Sequence, residues 1–127
     1  MNHPKELKYA KTHEYTRREG RLARIGITDF AQNELGDVVY VELPQAGRVV
    51  HAGEAVAVIE SVKTASDVYT PVSGKIQAVN QALEQHPEQV NADPYGAGWF
   101  FTVEMSDPSE LDRLLDAATY QATASAH

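Results

Sequence analysis

Five histidines, His3, His13, His51, His86 and His127, are the first candidates for metal or acid–base chemistry, and no two of them stand four residues apart. His13-Glu14 opens like a zinc-protease motif, whose second histidine belongs four positions after the first, but Arg17 occupies that place. No metal site is expected. The chain has no cysteine, which excludes disulfides, thiolate nucleophiles and cysteine-held metals. It holds neither a G-x-S-x-G elbow nor a phosphate-binding G-x-x-x-x-G-K loop, and Gly96-Ala97-Gly98 reads as a turn. No catalytic residue is therefore assigned.

Charge singles out one side chain. The net charge is −7, with 11 basic and 18 acidic residues. Residues 1–24 hold 7 of the cations and 3 of the acids, so the remainder is strongly acidic, and Lys63 is the only cation between positions 49 and 74. Such a surface repels nucleic acid and anionic membrane, and neither is expected as a partner. A lysine in a turn is ordinarily a solvated charge. The turn around Lys63 has no Gly, Asn or Pro to explain it, and its flanks, Glu60-Ser61 and Ser66-Asp67, are small or acidic. A tip of that kind presents an amine to a modifying enzyme. Glu14 and Asp67, read alone, are solvated surface carboxylates.

The elements that must position Lys63 read as mostly β. At 127 residues the chain is long enough for one domain, 1–127. All 13 valines lie between Val38 and Val103, and β-branched residues suit a pleated, half-buried surface. Two short strands flank Glu19-Gly20 between Glu14 and Ile27. A helix of about two turns follows, with Asp29 and Gln32 as a capping box and Gly36 at its end. Val38 to Leu43 is a strand. Ala55 to Val62 and Ser66 to Val72 are strand halves on either side of Lys63-Thr64-Ala65, and Lys75 to Val79 is another strand. Residues 80–98 read as a long irregular connection, Trp99 to Met105 as the last strand. Asp107, Pro108 and Glu110 start a helix whose Leu111, Leu114 and Leu115 form one apolar stripe. The ends, about 1–6 and 120–127, are expected to fray. The sum is a small β-sandwich or barrel with peripheral helices.

The segment from Glu60 to Gly74, ESVKTASDVYTPVSG, closely resembles the lipoyl-attachment segment of glycine cleavage system H proteins. The resemblance extends through Lys8-Tyr9, Thr12-His13-Glu14, Ile25 to Asp29, Leu35 to Pro44, Pro94-Tyr95, Gly98-Trp99 and Asp107 to Leu111, in order and over nearly the whole chain. It implies a mainly β, barrel-sandwich hybrid fold, a lipoyl-domain-like β-sandwich with short peripheral helices and a C-terminal helix. It also implies lipoate on an amide at Lys63 and no catalysis by the chain itself. By the same resemblance the arm takes the aminomethyl group of glycine from the P protein, a glycine decarboxylase. It passes the group to the T protein, an aminomethyltransferase, and is reoxidised by the L protein, a dihydrolipoyl dehydrogenase. Glu14, Asp67 and Thr12 match positions lining the cleft that shelters the loaded arm. Tyr15 departs from the family's usual tryptophan; both are large amphipathic aromatics, so the packing is expected to survive.

A lipoyl- or octanoyl-transferring enzyme is a further implied partner, and the chain is expected to be a cytoplasmic monomer, or a mature mitochondrial matrix form. Three other readings fit a tip lysine. A biotin carrier usually flanks it with methionines, where this chain has Val62 and Thr64. A lipoyl domain of a 2-oxo-acid dehydrogenase typically has aspartate before it, where this chain has Val62. An H-like protein that relays lipoyl groups to other proteins carries the same lysine.

Overall fold

The computed structural model describes residues 2–125. Nine strands among them form two antiparallel sheets. One has six strands in the order β1-β2-β3-β9-β8-β5, the other three in the order β4-β6-β7. The strands are β1 Lys8–Tyr9, β2 Glu14–Glu19, β3 Leu22–Ile27, β4 Val38–Glu42, β5 Val49–Val50, β6 Ala55–Ser61, β7 Ala65–Tyr69, β8 Gly74–Val79 and β9 Phe101–Met105. Valine, isoleucine and phenylalanine from both sheets meet in one core, including Ile25, Ile76 and Val103 from the larger sheet and Val41, Ile59 and Val68 from the smaller. This is the mainly β sandwich that the valine distribution and the resemblance lead one to expect.

A second apolar cluster sits outside the sandwich. Tyr9 and Tyr15 from the larger sheet pack there with Leu7, Ala117, Tyr120 and Ala124. The Tyr15 ring is fully buried and its hydroxyl donates to the Pro94 carbonyl at 2.7 Å. On the paired strand Gly26 leaves the room it needs, since a Cβ there would stand 2.7 Å from the Tyr15 hydroxyl. Tyrosine thus fills an aromatic site and satisfies its polar end.

Four expectations are corrected. Helix α1, Asp29–Leu35, is capped by Thr28 and not by Asp29. The Ala31 amide donates to Thr28 Oγ1 at 3.1 Å, while Gln32 Nε2 donates to Asp29 Oδ1 at 2.8 Å. Segment 80–98 is not irregular throughout. It holds two one-turn helices, α2 Ala82–Gln85 and α3 Gln89–Ala92, which bury Leu83 and Val90. The helix begun at Asp107 is a 3₁₀ turn, Pro108–Arg113, that ends before Leu114 becomes extended. Leu115 then bridges Tyr9 through two backbone hydrogen bonds of 2.7 and 2.8 Å, which interrupts the leucine stripe. Lastly, the described part of the expected frayed tail, residues 120–125, is helical. Helix α4 runs Ala117–Ser125 and buries Tyr120 and Ala124, because small residues let it lie close on the tyrosine cluster. At the other end Asn2 joins its backbone to the Tyr95 hydroxyl and Pro4 accepts from the Tyr9 hydroxyl. Met1, Ala126 and His127 lie outside the described residues.

Candidate functional site

Lys63 occupies the tip of the β6–β7 hairpin. Ser61 N donates to the Thr64 carbonyl at 2.8 Å, closing a two-residue connection of Val62 and Lys63. Its stability does not come from glycine. The Ser61 hydroxyl accepts from the amides of Lys63 at 3.1 Å and Thr64 at 3.2 Å, a side chain doing for the backbone what a turn residue does. The Val62 amide donates to the Asp37 carbonyl at 3.0 Å and pins the tip to the start of β4. Ser61 is the residue that sequence reasoning missed in this turn, although a serine just before a tip is a recognisable signal.

The Lys63 side chain is exposed, and no ion pair among the described residues involves it. Its stem runs over Gly36, the C-terminal cap of α1. A Cβ at Gly36 would lie 3.4 Å from Lys63 Cε and 3.9 Å from Nζ. Gly36 has φ 78°, which glycine adopts without penalty, so it both ends the helix and leaves a flat floor under the lysine.

Next to Gly36 in the chain, Leu35 lines a cleft of about 210 Å³ between α1, the turn before β2, and β7. Thr12, Glu14 and Asp67, the residues singled out by resemblance, all line it. Ile27, Phe30, Leu35 and Val68 supply apolar wall. Asp67 and Thr12 are exposed, as expected of surface groups, whereas Glu14 is 2% exposed, so its reading as a solvated carboxylate is overturned. Glu14 holds its place by accepting from the Thr12 hydroxyl on Oε1 and from the Tyr69 amide on Oε2 at 3.1 Å. Burial pushes the Glu14 carboxyl up to about 7, and the Thr12 and Tyr69 hydrogen bonds offset part of that rise. The carboxyl is thus poised to ionise in the presence of a cation.

Glu34 and Phe30 also line the cleft and were not singled out from sequence, and His13, weighed there only as a metal or acid–base candidate, lines it too. Phe30, Ala31, Glu34 and Leu35 fall on one helical face by their spacing, the signal that places them together. A larger, open groove of about 470 Å³ runs beside Glu42, Arg48 and Val56. It shares only Asp67 with the residues above, and its lining converges on no reactive group. Among the described residues no group of three or more His, Asp or Glu side chains converges as a metal site. No helix among them is long and apolar enough to cross a membrane.

The family model for the glycine cleavage H-protein matches residues 7–127. A glycine cleavage system H protein of Thermus thermophilus is 61% identical over 121 residues, covering 95% of this chain and 94% of that protein. One from Symbiobacterium thermophilum is 56% identical over the same shares. The crystal structure of a glycine cleavage system H protein from Mycobacterium marinum superposes with a TM-score of 0.88 at 38% identity, covering 97% of this chain and 99% of that one.

Proposed function

Because the chain belongs to the glycine cleavage H-protein family, a family of non-catalytic carriers, we propose that it bears lipoate on an amide at Lys63 and shuttles the aminomethyl group of glycine. The P protein loads the arm, the T protein unloads it and the L protein returns it to the disulfide. The observation that carries this reading is an exposed lysine at a hairpin tip, its stem lying over Gly36, whose chain neighbour Leu35 lines a cleft shared with Thr12, Glu14 and Asp67.

These residues fit the group. The amine of Lys63 is exposed for acylation, the apolar lining suits a hydrocarbon arm, and the lining carboxyls suit an ammonium. The lipoyl disulfide supplies the sulfur and redox chemistry that a cysteine-free chain lacks. The protein's part is positional. Glu14 and Asp67 offer charge-assisted hydrogen bonds to the cargo amine, and the walls of the cleft keep water from a hydrolysable carbon.

Intact-mass measurement of protein co-expressed with a lipoyl-transferring enzyme tests the attachment: a gain of one lipoyl group is expected, lost in Lys63→Arg. Biotin at Lys63, or no modification, overturns the reading. Reconstitution of the lipoylated chain with P, T and L proteins is expected to give glycine-dependent CO₂ release. Modification without that release would favour the lipoyl-relay reading.

A further inference from the structure

Helix α4 supplies no residue to the cleft lining, yet one of its side chains touches one cleft wall at His13 and the capping residue of the helix that forms the other. Tyr120 is 1% exposed, and its hydroxyl lies 2.7 Å from His13 Nδ1 and 2.7 Å from Thr28 Oγ1. His13 stands between Thr12 and Glu14 and lines the cleft itself. Its backbone has φ 78°, a conformation that residues other than glycine rarely hold unless the surroundings enforce it. Thr28 caps α1, the helix that brings Phe30, Ala31 and Leu35 to the facing wall. A hydroxyl has one proton and two lone pairs, so Tyr120 can donate to one of these partners and accept from the other. One oxygen therefore links the turn bearing Thr12 and Glu14 to the start of α1. The ring behind it is fixed by stacking on Tyr9, with centroids 4.8 Å apart, and by an edge contact with His3 at 5.1 Å.

We propose that Tyr120 is a positioning residue for the cleft: through its hydroxyl, the docked C-terminal helix sets the separation of the two walls and hence how well the cargo is kept from water. This rests on the carrier reading above. The loss it guards against is hydrolysis, in which water oxygen adds to the aminomethyl carbon, sulfur leaves as thiol and nitrogen as ammonia. The carbon is released as formaldehyde, and no oxidant or reductant is needed.

Tyr120→Phe keeps the ring and removes the hydroxyl. Ile76→Val, in the other core, is the control for general loss of stability. In unmodified protein, amide exchange at Glu14, Thr28 and Ala31 is expected to quicken in Tyr120→Phe about three- to tenfold, the size of one lost buried hydrogen bond, and not in Ile76→Val. In lipoylated, loaded protein, formaldehyde release is expected to quicken by a similar factor in Tyr120→Phe alone, with the extent of lipoylation unchanged. Unchanged exchange at those amides overturns the proposal whatever the wild-type chain carries, and so does formaldehyde release equal to that of Ile76→Val. A wild-type chain that takes no lipoyl group overturns the carrier reading, and with it the sheltering role, while the exchange data still decide whether Tyr120 holds the walls.

Discussion

Glu14 is the residue whose environment differs most from its type. Carboxylates are seldom fully buried, and this one keeps its place by accepting from the Thr12 hydroxyl, the Tyr69 amide and its own backbone amide. The sign of the effect on stability follows from linkage. Its carboxyl titrates near 7 when folded against an ordinary 4.5, so between those values the folded chain binds more protons than the unfolded one. The contribution of Glu14 is fully favourable below 4.5 and is lost as pH rises through 7. Urea unfolding across that window should show wild type losing up to about 1.4 kcal/mol per pH unit relative to Glu14→Gln. Parallel pH profiles for the two proteins would show that Glu14 does not titrate in the folded state as its burial requires. Sequence alone could not show this burial, because alternation along β2 predicts one buried face, whereas Glu14, Tyr15 and Thr16 are all buried. Tyr15 faces the tyrosine cluster while Glu14 faces the cleft, so both faces of the strand are covered there.

At the level of elements, the hairpin carrying Lys63 was legible because strand-forming runs flank the lysine, although the first run, read to Val62, ends at Ser61. The paired register confirms it, with Glu60 opposite Ala65 and Ile59 opposite Ser66. Helices α2 and α3 were not legible, since four residues are about one turn and show no 3.6-residue period. The split after Arg113 was hidden for a different reason: the Leu115 bridge to Tyr9 is a contact across more than a hundred residues, and it outweighs local helical spacing. Tertiary fit also decides Gly26, where no local pattern hints that a ring lies against the backbone. Gly26→Ala should cost about 1–3 kcal/mol by overpacking against Tyr15 and lower the melting temperature accordingly. A melting temperature equal to that of wild type would mean the ring yields freely.

Over the whole molecule, charge is sorted. The first 24 residues, which build β1, β2 and half of β3, are net basic, and the remainder is acidic. Amide formation at Lys63 would remove the one cation between positions 49 and 74 and take the net charge from −7 to −8. Partners that approach the tip would then meet Glu34, Asp37, Glu60 and Asp67 with no neighbouring cation to offset them. Their association rates should fall roughly tenfold or more from low to high salt, read by stopped-flow mixing of the lipoylated chain with each enzyme. Rates independent of salt would remove steering from the account.

The hairpin has a kinetic consequence in the proposed carrier. Lys63 and Asp67 are four residues apart on one turn and strand, and the amide of Tyr69, two residues further, holds Glu14. Anchor and berth are thus fixed to the same short stretch of backbone. A tethered cargo then meets its berth at an effective concentration set by arm length alone. Dilution of the protein between one enzyme and the next would leave the sheltered fraction unchanged.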